Sequence, residues 1–366
     1  MSATLRDMDD GVHRDPSRLI ARAAAAETRG RLRLAAAIDD FFLPDDGRLD
    51  ERMRSSIALT LAGLVAAVEG ALKSHAARLL VARDAVTLGD RLTLSDASVL
   101  DRLVGAGLLR DSDMMRELIA RVRQDAIGDA LPAEAPAATD APSLLSRLAN
   151  HGDGVVAAAA NALFAAESRR RGLFEGVAQT DLPADLHHRL VWWVAAALRE
   201  RFTDVDDAAT LDRALAEAAM RSLSAHDEGD RLEAVAMRLA VAYEASPKEL
   251  PDLLVEALGD RRIALFTALL AHAVGLDYDQ ARDIVAEPDG GRLWLVLRAL
   301  ETDRIAVARI GFALCEADAR RDLEGFADSL DGIMGVTPDA ARAALAPMKL
   351  HPDFRAALSA LTRATT

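Results

Sequence analysis

Residues 240–300 read AVAYEASPKELPDLLVEALGDRRIALFTALLAHAVGLDYDQARDIVAEPDGGRLWLVLRAL. Displaced by 31 residues, the stretch falls on itself: Ala242 meets Ala273, Asp252 meets Asp283, Glu256 meets Glu287, Gly259 meets Gly290, Arg261 meets Arg292 and Leu269 meets Leu300. The helix-start signals coincide in the same register. Ser246 with Glu249 has the spacing of a capping box, in which the cap side chain accepts from an orphan amide and the third helical residue reaches back; Asp277 with Gln280 repeats it. A third copy begins at Thr337, with Pro338 at the first helical position as Pro247 is in the first copy. There Gly335, Asp339, Ala341 and Arg342 match Gly275, Asp279, Ala281 and Arg282, 60 residues earlier. Pro251 falls five residues into the first helix so drawn, where it would remove a backbone bond, and a local irregularity is expected there.

Each unit reads as two short helices joined by a Gly/Asp turn, Leu258-Gly259-Asp260 in one and Pro288-Asp289-Gly290-Gly291 in the next. The second helices carry apolar stripes, Ile263, Phe266, Leu269 and Leu270 in one and Leu293, Val296, Leu297 and Leu300 in the other. One such pair cannot bury its stripe alone, so units stack. The expected fold is all-α, an α-solenoid of stacked helical hairpins, HEAT-like, with units of about 31 residues in the C-terminal half.

Composition agrees with a helical chain of thin contacts: hydrophobic residues make up 51% while aromatics are 4%. The net charge of −14 argues against a nucleic-acid backbone as main partner, since such sites need surplus positive charge. Residues 143–366 hold 35 acidic against 25 basic residues and so carry most of that excess. Cys315 is the single cysteine, which excludes an intrachain disulfide and suits a reducing cytoplasm; within Gly311-Phe-Ala-Leu-Cys315 it reads as a small buried thiol. The apolar run Ile57–Val68 is too short to span a bilayer, and a membrane partner is not expected.

Along the chain, residues 1–15 are polar and are expected to be disordered, with no apolar export segment. An N-terminal helical array follows over 16–128: a basic Ala/Arg helix to about 38, the anchor Phe41-Phe42-Leu43, then helices near 50–72, 74–86, 95–106 and 112–127, started by Ser95 or Asp111 and stopped near Gly107 and Gly128. Gly63 and Gly70 are expected to admit a close neighbour. The Pro/Ala-rich segment 129–142 reads as a linker or exposed loop. The C-terminal array, 143–366, continues with helices near 143–150, 154–171, 184–201, 207–224 and 230–244, two more within 303–330, and one over 352–361. In the helix from 184, Leu186, Leu190, Trp193, Val194 and Ala197 share a core stripe. Trp192 faces elsewhere with His188 and Arg199, a composition suited to a protein partner, and these three are the candidate partner-binding residues.

No phosphate loop, dinucleotide fingerprint, nucleophile elbow or zinc helix occurs. Near Asp204-Val-Asp206-Asp207 a calcium loop lacks its turn glycine and final glutamate, since Ala209 and Leu215 stand there. His187 and His188 with Asp181 and Asp185, and the pair His226-Asp227, are residue types that bind metals, but turn and cap roles explain them, so no catalytic, cofactor or metal residue is assigned.

The segments FFLPDDGRLDERMRSSIALTLAGLVAAVEGALKSHAARLL, LLSRLANHGDGVVAAAANALFAAESRR and FTALLAHAVGLDYDQARDIVAEPDGGRLWLVLRAL together resemble an alphaproteobacterial family of helical proteins, domain of unknown function 2336. The resemblance implies an all-helical, HEAT-like array in a bacterial cytoplasm and carries no catalytic residue or cofactor. The expected function is a non-enzymatic scaffold or adaptor that binds another protein. The alternatives are a helical metal-dependent hydrolase using His187, His188, His226 and Asp227, or a HEAT-like nucleic-acid-binding protein; self-association through the N-terminal helices is a further reading.

Overall fold

The computed structural model describes residues 49–94, 98–132, 142–172, 180–202 and 207–351, with 354, 357, 358 and 361. The chain divides into two units, Met1–Asp50 and Glu51–Thr366, and every helix below belongs to the second. Among the described residues there are 16 α-helices and no strand, so the fold is all-α. The expectations for 1–15, 16–38, Phe41–Leu43, residues 133–141, the Asp204 loop and most of 352–361 lie outside the described residues.

The helices are α1 (Glu51–Val81), α2 (Val86–Leu94), α3 (Val99–Gly105), α4 (Ser112–Ala130), α5 (Leu144–Ala149), α6 (Gly154–Gly172), α7 (Ala184–Glu200) and α8 (Ala208–Ala225). They continue with α9 (Leu232–Tyr243), α10 (Leu250–Gly259), α11 (Ile263–Val274), α12 (Tyr278–Val285), α13 (Gly291–Ala299), α14 (Arg304–Ala317), α15 (Leu323–Gly335) and α16 (Pro338–Leu345).

The two helices expected over 50–72 and 74–86 are one. In α1 the buried stripe Ile57, Leu64, Val68, Leu72, Ala76 and Leu80 keeps helical spacing through Ser74 and His75, so nothing forces a stop there. At 31 residues, α1 is long and apolar enough by length and composition to cross a membrane, which corrects the expectation drawn from Ile57–Val68 alone. Its stripe nevertheless has protein to pack on. α2, α3, α4, α7 and α8 all contact α1, while α11 is surrounded by α4, α9, α10, α12 and α13. α4 touches α1, α11, α12 and α14 and so joins the two clusters. In space, therefore, helices from before and after residues 133–141 are interleaved.

α11 is buried at every position from Ile263 to Ala271. The expected stripe Ile263, Phe266, Leu269 and Leu270 is thus one face of a helix apolar all round, which needs neighbours on all sides. Gly128 does not end α4: the helix runs two residues past it, and a Cβ there would lie 2.8 Å from Ile263 Cγ2, so the glycine lets α4 approach α11. Gly70, expected to admit a neighbour, has nothing within 4 Å of where its Cβ would be.

The caps at Asp277 and Thr337 form as expected. Asp277 and Gln280 make a complete capping box, and Thr337 Oγ1 accepts from the Ala340 amide at 3.3 Å with Pro338 in the first turn. Ser246 behaves differently. Glu249 reaches back to the Ser246 amide at 3.3 Å, but the serine hydroxyl donates to the Glu249 carboxylate, and the helix proper starts only at Leu250. That late start removes the Pro251 irregularity: the proline lies in the first turn, where its missing N–H has no partner to lose. Ser98 caps α3 by accepting from the Asp101 amide at 3.0 Å, and Ser95 lies outside the described residues. The helices expected within 303–330 are capped by Asp303 and Asp322.

A chain of buried ion pairs crosses the middle of the fold. Arg282 on α12 bonds Glu117 on α4 at 2.9 Å, Glu117 accepts from Arg231 at 3.2 Å, Arg231 lies 3.5 Å from Glu233 on α9, and Glu233 pairs with Arg170 on α6. Arg170 also donates to Asp181 at 2.8 Å, ahead of α7. Burial pushes the Glu233 carboxyl up, yet the Arg170 and Arg231 guanidiniums outweigh it and hold the group well below the usual carboxylate range. These pairs fix the register of α4, α6, α9 and α12 against one another; the pairing keeps buried charge satisfied rather than adding much net stability.

Candidate functional site

The residues singled out in the sequence separate in the structure. Trp192 Nε1 donates to His188 Nε2 at 3.2 Å, with the rings edge to face at 6.3 Å, so these two meet on α7. Arg199 is elsewhere: its guanidinium pairs with Asp212 on α8 and donates to the Phe202 carbonyl at 2.7 Å. Trp193 is only half-buried, whereas His187, Val191 and Leu198 join Leu186, Leu190, Val194 and Ala197 in the core, because α7 is covered on two sides, by α1 with α8 and by α3.

Of the four residues considered for a metal, two converge. The His187 and His226 rings stack at 4.2 Å, inclined by 20°. His187 Nδ1 meets Thr180 Oγ1 at 2.6 Å, and His226 Nε2 donates to the Leu182 carbonyl at 2.9 Å. His188 is with Trp192, and Asp227 accepts from the Gly229 amide at 2.8 Å as a turn cap. Among the described residues no three metal-ligating side chains gather. Asp252, Glu256, Asp283 and Glu287 do not converge either: Glu256 pairs with Arg147 on α5, and Glu287 with Arg292 at 3.1 Å. Cys315 is buried, which pushes its thiol up and away from reactivity.

One apolar opening was not singled out from the sequence. A groove of about 490 Å³ lies between α10, α14 and α15. Asp303 starts α14 by accepting from the Ala306 amide at 2.9 Å, which sets Ala306, Val307, Ile310 and Leu314 inward. Phe312 (48% exposed) and Ile305 (73% exposed) then fall seven residues apart on the outside. Opposite, Phe326 of α15 lies over Gly311, where a Cβ would be 2.0 Å from the ring, and packs on Trp294 at 4.7 Å. Val255 and Leu258 of α10 close one wall, and Leu323 (39% exposed) stands at the rim. α15 carries Glu324, Asp328 and Asp331 nearby, the last paired with Arg304 of α14, while the lining itself holds Glu316 and Arg309 of α14. A signal existed in the sequence, in that Ile305, Phe312 and Leu323 are apolar residues off the stripes that face inward.

Fold and groove together define an all-α protein that leaves an apolar cleft open on its surface. The chain belongs to the family described as an uncharacterised protein conserved in bacteria, DUF2336, which it matches over residues 110–346, from just before α4 to the end of α16. Comparison with curated proteins and with solved structures returns no match.

Proposed function

We propose that the chain is a non-enzymatic scaffold or adaptor of the bacterial cytoplasm that binds an amphipathic helix of another protein in the groove between α10, α14 and α15. The observation that carries this reading is the groove itself: exposed Phe312 and Leu323 over an apolar floor, beside a helix that carries carboxylates and no base. Apolar anchors at helical spacing fill such a groove, and the acidic flank calls for basic residues along the partner's polar side. The same flank repels a nucleic-acid backbone. His188 and Trp192 on α7 offer a second contact surface.

The reading extends to the fold as a HEAT-like solenoid with units of about 31 residues. In its support, α9 and α11 are each 12 residues long, begin at Leu232 and Ile263, and are followed by left-handed residues, Glu244 (φ 46°) and Gly275 (φ 75°). These boundaries repeat at the spacing of the sequence identities.

A photo-crosslinking residue placed at position 312 in the living bacterium tests the proposal. The expected product joins position 312 to a basic amphipathic helix of a different protein and disappears when Leu323→Asp charges the rim. Crosslinks only to a second copy of this chain, crosslinks to nucleic acid, or no product at all would overturn it.

A further inference from the structure

Facing the C-terminal part of α1, the end of α8 leaves a cleft of about 410 Å³ whose floor includes Ala67, Gly70, Ala71 and Ala218. Around it stand His75 and Arg78 from α1, Arg221 from α8, and the stacked pair His187 and His226. No carboxylate lines this cleft, although the chain has 58 acidic residues against 44 basic ones. The nearby Glu217 is held by both oxygens on Arg83 at 2.7 Å and stands outside the lining. Arg78 Nη2 lies 3.4 Å from His75 Nδ1, and Arg221 has no ion pair among the described residues.

One polar atom is left over at the bottom. His187 is 4% exposed and lines the cleft; its Nδ1 is taken by the Thr180 hydroxyl, while Nε2 has no hydrogen-bond partner. An unpaired buried ring nitrogen is unfavourable unless something meets it. If the Thr180 hydroxyl donates to Nδ1, the neutral ring carries its proton on Nε2, as a donor. A cation finds no carboxylate in the lining, and among the described residues no three metal-ligating side chains gather there. An oxyanion has two guanidiniums at the rim and a ring N–H below.

We propose that this cleft binds a small organic anion, with a phosphate or carboxylate group held by Arg221, Arg78 and His187, and a compact apolar body laid on the Ala/Gly floor. The volume suits one such molecule, since small-ligand sites span roughly 300–1,000 Å³. Gly70 is the part of the floor that makes room: nothing lies within 4 Å of a Cβ at that position, so a side chain added there would stand in or beside the open space.

Titration calorimetry of the full chain with phenyl phosphate, benzoate, inorganic phosphate and phenol tests the site. One of the two aryl anions is expected to bind saturably with one site per chain, inorganic phosphate more weakly, and phenol not at all; which aryl anion wins assigns the charged group. Arg221→Ala is expected to weaken binding at least tenfold, and Gly70→Leu to abolish it without changing any charge. Arg213→Ala, the same charge change elsewhere on α8, is expected to leave the affinity unaltered. The proposal is overturned if neither aryl anion binds, if phenol binds as well as they do, if Gly70→Leu retains full affinity, or if Arg213→Ala costs as much as Arg221→Ala.

Discussion

Glu117 on α4 and Arg282 on α12 lie 165 residues apart in the chain and meet in the interior at 2.9 Å, both almost fully buried. Glu117 also accepts from Arg231, so one carboxylate answers two guanidiniums. Glu117→Ala would leave both without their shared counter-charge, and a loss of about 3–5 kcal/mol is expected in urea unfolding. The double replacement Glu117→Leu with Arg282→Met should recover much of that loss, because Arg231 keeps Glu233. Equal instability of the single and double variants would contradict this account.

Phe326 lies so close over Gly311 that any added carbon collides with its ring. Gly311→Ala is therefore expected to destabilise by about 1–3 kcal/mol despite alanine's better helix propensity. Adding Phe326→Leu, which shortens the opposing side chain, should relieve part of the cost. The change in unfolding midpoint reads both.

His187 gives the fold a pH dependence with a definite sign. Loss of water, followed by the neighbouring His226, pushes its imidazole down from 6.5 to about 4. Between these values the unfolded chain binds a proton that the native state refuses, so the stabilisation is complete above pH 6.5 and is lost as pH falls toward 4. His226 and His188 act on the ring in the same direction as burial, and the opposing contribution of the Ser222 backbone is smaller than that of burial. The cleft's other titratable groups, Arg221, His75 and Arg78, include no acid that would reverse the sign. Urea midpoints at pH 7 and pH 5 should differ more in the wild-type chain than in His187→Gln; identical differences would refute the assignment.

The helix caps rank themselves by geometry. Asp277→Ala and Thr337→Ala each remove a side-chain acceptor from a helix N-terminus and are expected to cost about 1 kcal/mol. Ser246→Ala should cost less, since that hydroxyl donates to Glu249 and accepts from no amide. Pro251→Ala should stay within about 0.5 kcal/mol. Thermal unfolding of the four variants checks the order.

Local chemistry was legible wherever the signal lay within a few residues. Asp111, Asp277 and Thr337 each announced a helix start, because a cap is a contact between a side chain and an amide two or three positions away. The same short range explains the errors. Gly128 read as a helix stop because a glycine's local preference is visible, whereas its contact with Ile263 is made 135 positions away. Likewise, the boundary expected between 72 and 74 is absent from α1, because the stripe continues through Ala76 and Leu80 and is buried by other helices.

By itself the sequence determined that this chain is helical and where most helices begin, since periodicity and capping are properties of neighbouring residues. The tertiary structure decided which faces are covered. It separated Arg199 from Trp192, brought His187 against His226 in a cleft without carboxylates, and left Phe312 uncovered beside an acidic helix. The physical reason is that burial and pairing depend on what approaches from elsewhere in the chain. That is fixed only when α4, α11 and their partners close on one another.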